Sequence, residues 1–314
     1  EGETQSIVLE YTAQTHFETF TSREFEDETK AFWKQWVAKG TFFDFCRDQL
    51  VRSAITLKLM QFYETGALIA APTTSLPEWI GGMRNWDYRY VWIRDATFTL
   101  YAFYVLGYTE EAEKFFDFIH AIVKEAKEEA FDISLFYTIQ GKPVPHEQIL
   151  HNLQGYRHSK PVRIGNAAGE QFQLDVYGTL IDAHYFVAKR KRKLHKVNKE
   201  LLMHLFDKIE ALWKTKDNGI WEVRFERQHF TYSKVMAWVG ADRMLRLAKH
   251  LQLTEQEKRR CKRLSDEITA WIWENCYNKD KETLLQSPNT PLQDSTNFLF
   301  VLLQFLDKHD AQTK

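Results

Sequence analysis

The periodicity of the apolar residues constrains this chain more than any other feature. From about Asp27 onward, apolar positions recur three and four residues apart in segment after segment, the spacing that lines one face of a helix. AFWKQWV (31–37) begins the pattern, and FCRDQLVRSAITLKLMQFYETG (45–66) carries it to a stop at Gly66. Further segments follow near 95–107, from Thr109, and near 174–190, 198–214, 232–251, 254–276 and 293–307. Thr109 is a cap with Glu110 and Glu111 in the first turn, where negative charge is favoured. Thr254 and Glu257 have the form of a capping box. The count is eight or nine helices, joined by short turns on one side and long loops on the other. Hairpins of that kind bury their apolar faces by packing around a common axis. At 314 residues, 44% apolar with 23 Phe, the chain has the length and core for a helical barrel.

Composition excludes several partners. The net charge is −1, so no global field steers the protein to nucleic acid or an acidic membrane. The basic run KRKRK, Lys189 to Lys193, is expected to be a solvated helix end. Cys46, Cys261 and Cys276 form no CxxC and no metal-ligand spacing, which points to a reducing compartment and a cytoplasmic protein. No apolar run approaches the ~18 residues of a membrane span, and no leader pattern opens the chain. The first residues, EGETQSIVLEY, lack an initiator Met. With a strand expected over 7–11 and another before residue 22, they read as the tail of a β region, so the chain is expected to start partway through a longer protein.

The loops hold the chemistry. GGMRNWDYRYVWIRDATF (81–98) carries two tryptophans, two tyrosines, three arginines and two aspartates. Arg94 and Asp95 stand at the start of a helix, where adjacent charged groups can grip vicinal hydroxyls. Tyr88 and Trp92 would supply flat faces to the apolar side of a pyranose. A loop stitched down by Arg–Asp pairs and aromatic packing fits the same residues equally well. In DNGIWEVRFERQHFTYSK (217–234), Asp217, Asn218 and Gly219 form a tight turn before Trp221 and Glu222, ahead of a helix near Thr231. A glutamate seated beside an indole holds its proton longer through desolvation, as a general acid must, although a WE pair alone is a weak signal. PVRIGNAAGEQFQLDVYG (161–178) brings Gly165, Asn166 and Gly169 to a loop, with Asp175 at the next helix start. Spacing alone makes Asp175 a helix cap before a ligand contact. No phosphate loop, metal cluster or Ser/His/Asp arrangement is present, so no metal and no cofactor is expected.

In order along the chain, RSAITLKL, AAPTTSLPE, GGMRNWDYRYVWIRDA, GNAAGEQFQLDVYG, GIWEVR and HFTYSKVMAWV resemble the bacterial and archaeal glucoamylase-like branch of glycoside hydrolase family 15. The resemblance implies an all-α fold, an (α/α)6 barrel over 27–314, with 1–26 the tail of a β-sandwich domain or a linker. It implies inverting, exo-acting hydrolysis of α-glucosidic bonds from the non-reducing end. Tyr88, Trp92, Arg94, Asp95 and Trp221 then match the glucose-pocket positions, Glu222 matches the general acid, and Asp175 joins the expected substrate contacts.

The resemblance also implies a second carboxylate, about 6.5–9.5 Å from the acid, to activate water. None of the 92 residues after Glu222 stands in a recognisable base motif. The expected barrel is therefore incomplete at its C-terminal end, with an exposed seam that favours self-association. Three activities stay open: glucoamylase-type cleavage of α-glucans or maltooligosaccharides, hydrolysis of trehalose, and a non-catalytic glucan-binding or regulatory role. The loops at 127–172 and 277–293 are expected to shape the leaving-sugar site.

Overall fold

The computed structural model describes residues 22–128, 133–191 and 199–307. The strands expected before residue 22 lie outside the described residues. Among the described residues are nine α-helices: α1 (Ser22–Ala38), α2 (Arg47–Leu59), α3 (Ile93–Val105), α4 (Thr109–Glu128), α5 (Asp175–Lys191), α6 (Lys199–Leu212), α7 (Thr231–Arg246), α8 (Glu255–Asn275) and α9 (Asn297–Leu302).

The helices form two layers of hairpins. α3, α5 and α7 pack side by side in one layer, and each folds back on its successor, α4, α6 or α8, in the other. The closest layer contact, α5 on α7, needs a glycine at 178. A Cβ on Gly178 would lie 2.0 Å from the carbonyl oxygen of Met236, and on the α6 side of α7 one on Gly240 would lie 2.3 Å from Ile209 Cδ1. Any larger side chain at Gly178 would force the two backbones apart. Leu180, Ile181, Val235, Ala237 and Val239 fill this seam completely shielded from solvent.

Local signals set the helix starts. At α8, Glu257 N–H donates to Thr254 Oγ1 at 3.2 Å, and Thr254 N–H donates to Glu257 Oε2 at 2.7 Å, completing the capping box. Glu111, expected to serve the helix dipole, is buried instead. It accepts from Trp36 Nε1 at 2.6 Å and pairs with Lys58, tying α1 and α2 to α4. α2 ends at Leu59, well before Gly66, because the chain turns back there to bridge Gln61 with Leu68.

The long connections are stitched by short antiparallel pairs. β1 (Thr74–Pro77) pairs with β2 (Asn85–Asp87), and β3 (Val91–Trp92) pairs with β4 (Phe136–Tyr137). α3 begins directly after Trp92, so the second pair fixes where that helix starts. No helix among the described residues is long and apolar enough to cross a membrane.

Candidate active site

Glu222 lies on a turn that the sequence forces into an uncommon shape. Gly219 has φ 65° and Glu222 itself has φ 53°, a left-handed conformation that non-glycine residues rarely adopt. Its surroundings hold it there. Glu222 N–H donates to the Gly219 carbonyl and Val223 N–H to that of Asn218. Asn218 Nδ2 returns a bond to the Val223 carbonyl at 3.1 Å, and Gln171 Nε2 donates to the Glu222 carbonyl at 3.1 Å. Strain sustained by this many bonds is characteristic of functional positions.

Asp217 anchors the turn to the framework. It is buried, and its Oδ2 accepts from Leu174 N–H at 3.0 Å, just before α5, and from Ser233 Oγ at 2.7 Å, in α7. The turn therefore moves only with the two central helices of the fold.

The carboxyl of Glu222 meets two donors. Trp92 Nε1 donates to Oε1 at 2.7 Å, and Arg94 Nη2 reaches the same oxygen at 3.3 Å. Burial is the largest influence and raises the proton affinity of Glu222. The Arg94 charge and the Trp92 N–H oppose it, and the net direction is upward from the ordinary carboxylate range. The indole that meets the carboxyl is not the neighbouring one. Trp221 is 52% exposed, and its Nε1 donates outward to Asp294 Oδ2 at 2.8 Å. Consecutive residues on a turn point apart, so Trp92, from 130 positions away, takes the place expected of Trp221.

Arg94, Asp95, Tyr88, Trp92, Trp221 and Glu222 all line one cavity of about 820 Å³. Trp92 offers little surface to a sugar, because its ring stacks on Phe136 with centroids 4.3 Å apart and is almost wholly buried. Asp175 does not line the cavity. It stands at the first position of α5, fully buried, behind Arg94.

Several cavity residues were not singled out from the sequence. Glu78, Arg84 and Trp86 form one wall, with Arg84 Nε 3.0 Å from Glu78 Oε2. Arg224 extends the same wall, its guanidinium 4.0 Å from the Trp86 ring centroid. Gln173 is buried outside the cavity lining, where it accepts from Arg94 Nη1 at 3.0 Å and donates to Gln171 at 3.2 Å. The alternation of Gln171 and Gln173 was the available signal, since extended backbone puts such residues on one side. Of the loops expected to shape the leaving-sugar site, 127–172 supplies Asn166 and Ala168 to the lining. The 277–293 stretch supplies none, although Asp294 just beyond it steadies Trp221. Among the described residues no cluster of His, Cys, Asp and Glu could hold a metal ion.

The sequence profile of the glycosyl hydrolases family 15 matches residues 45–314. The chain belongs to this family. It is 41% identical over 288 residues to a trehalase of Mycolicibacterium smegmatis, covering 91% of this chain and 43% of the relative. It is 35% identical over 286 residues to a trehalase of Thermoplasma volcanium, covering 91% and 45%. The chain thus spans less than half the length of these relatives. Among solved structures, a glycosidase in complex with glucose superposes with TM-score 0.54 at 16% identity, covering 77% of this chain and 60% of that one. A glucoamylase from Saccharomycopsis fibuligera superposes with TM-score 0.51 at 14% identity, covering 77% and 52%. Both agree with a hairpin fold of the (α/α)6 toroid class.

Proposed function

We propose that the cavity holds the non-reducing glucose of an α-glucoside and that Glu222 protonates the departing oxygen. Trehalose is the proposed substrate, supported by the relatives named trehalase. Glucoamylase-type cleavage of maltooligosaccharides is the second reading, supported by the likeness in fold to a glucoamylase.

The setting of Glu222 carries the proposal. An acid catalyst must arrive protonated, and burial favours the neutral form of this carboxyl. Trp92 and Arg94 both address Oε1, so a proton on Oε2 competes with neither. After proton transfer the same two donors stabilise the carboxylate that remains. Arg94 and Asp95 would hold the sugar hydroxyls, and Tyr88 and Trp86 would bound the ring. Charged groups at Glu78, Arg84 and Arg224 suit a leaving group that is itself a hydroxylated sugar.

Inversion also needs a carboxylate across the sugar to activate water. Of the other carboxylates on the cavity wall, Glu78 is paired with Arg84 and Asp95 with Arg94, so we assign neither as the base. All three cysteines are unpaired, two of them buried, which supports a reducing and cytoplasmic setting.

The test is a hydrolysis and binding panel of trehalose, maltose and maltotriose, with the anomer released followed by NMR. Trehalose cleavage yielding one β-glucose and one α-glucose supports the proposal. Turnover of maltose with trehalose inert supports the second reading. Binding without turnover of either indicates a non-catalytic glucan-binding role, and no binding of any sugar removes the pocket assignment.

A further inference from the structure

Arg94 is the cation around which the acids of this site are arranged. Its side chain is 13% exposed, and three carboxylates close on it. Glu222 Oε1 lies 3.3 Å from Nη2, Asp95 Oδ2 lies 3.5 Å from Nη2, and Asp175 Oδ2 lies 3.8 Å from Nη1. One positive charge shared among three acids cannot serve as a full counter-ion for each.

The three are not equivalent. Asp95 is 51% exposed, so water screens its interaction with Arg94. Asp175 is 1% exposed, and its buried Oδ1 has no hydrogen-bond partner in the structure. A buried carboxylate with an unpartnered oxygen costs free energy to keep, and Arg94 is the nearby cation that offsets the cost. Its effect on Arg94 passes through protein rather than solvent, where charges act at greater strength.

We propose that Asp175 is a positioning residue for the acid: by neutralising Arg94 from behind the cavity, it denies Glu222 a full counter-ion. This rests on the proposed role of Glu222 as proton donor and adds the device that keeps the proton in place. Without Asp175, more of the Arg94 charge would fall on Glu222 and favour the carboxylate.

Asp95 also raises Glu222 directly, but from an exposed position that water screens. The remaining groups around Glu222 do not substitute for Asp175. Trp92, at the start of α3, and Gln171, before α5, are neutral. Burial raises the hydroxyls of Tyr88 and of Tyr232 on α7, so both stay uncharged at neutral pH. Asp217, on the turn itself, spends Oδ2 on Leu174 and Ser233. Lys234 of α7 donates to the carbonyls of Trp213 and Thr215, away from the cavity lining. Asp175 is also pushed up by burial, to about 6. As pH falls through that value Asp175 takes a proton, Arg94 is released toward Glu222, and the two acids titrate as a coupled pair.

Trp92 provides the readout. Its Nε1–H donates to Glu222 Oε1, so its 1H–15N indole resonance moves when Glu222 ionises. In the full chain, Trp92→Phe identifies the peak among ten tryptophans. Glu222→Gln should remove its titration. Asp175→Asn should then lower the midpoint by about one pH unit or more, and Asp95→Asn should lower it less. Where the protein turns over sugar, the alkaline limb of the pH–rate profile should move the same way, which a purely structural residue would not produce. An unchanged or raised midpoint in Asp175→Asn overturns the inference. Should that variant not fold, the wild-type indole curve decides: a titration broader than one proton supports the coupling, and a one-proton curve overturns it. If no sugar binds while the midpoint still falls, the functional reading fails and the coupling stands.

Discussion

Two half-hidden glutamates beside the same cavity show how differently one residue type can be used. Glu147 and Glu222 have side chains 14% and 23% exposed, and each meets arginine. Glu147 is one acid among two cations. Arg163 Nε donates to it at 3.0 Å, Arg224 Nη2 at 2.8 Å, and Ala167 N–H at 3.2 Å. Burial pushes Glu147 upward, but the bonds from Arg224, Ala167 and Arg163 outweigh it and hold it below the ordinary carboxylate range. Glu222 is one of three acids on a single cation, and burial prevails. Burial acts on both glutamates, and the number of cations and donors set against it separates a structural carboxylate from one suited to donate a proton.

Four measurements test this contrast. The largest effect is expected at Asp175. Its folded proton affinity is raised, from 3.8 to about 6, so its contribution to stability is fully present below 3.8 and lost as pH rises through 6. That shift corresponds to about 3 kcal/mol. Urea denaturation across pH 3.5 to 7.5 should show Asp175→Asn gaining on wild type by that order as pH rises. A constant difference between the two would mean that Asp175 carries no buried charge.

Next is Arg94→Ala, which removes the shared cation. Trehalose affinity measured by calorimetry should fall by about 2 kcal/mol, on the order of 30-fold, because sugar hydroxyls lose a charged partner. Unchanged affinity would place the pocket elsewhere.

Glu147→Gln should cost about 1–2 kcal/mol of stability at neutral pH, since Arg163 and Arg224 lose their shared partner. Because the folded Glu147 is depressed, this contribution exists above the unfolded value of 4.5 and disappears as pH falls through the lower folded one. The Trp92 indole titration should be unaffected. A shift there would show that the two glutamates are not independent.

The smallest effect belongs to Asp294→Asn, which weakens the tether of Trp221. Less than about 1 kcal/mol of sugar affinity should be lost. A larger loss would make the loop at 285–296 part of the binding surface.

Much of the framework was legible because helix signals are local. The capping box at Thr254 depends on residues within one turn of each other. The two-residue strands were too short to show a period, and the early end of α2 depends on a bridge made beyond it. In the site, Trp92, Arg94, Asp95 and Glu222 were legible as residues and not as a geometry. Nothing next to Glu222 in the chain shows that Trp92 covers it or that Trp221 turns away. The place of Asp175 behind Arg94 follows from α5 packing against α3, which is tertiary information. Trp86 and Gln173 went unmarked because their partners lie on other segments.

The most direct test of the account is trehalose binding and turnover by Glu222→Gln beside wild type, in the full chain. The amide keeps the shape and the acceptor for Trp92 but cannot deliver a proton. Binding within about twofold of wild type and turnover reduced by about 10²–10⁴-fold are expected. Wild-type turnover by Glu222→Gln would contradict it.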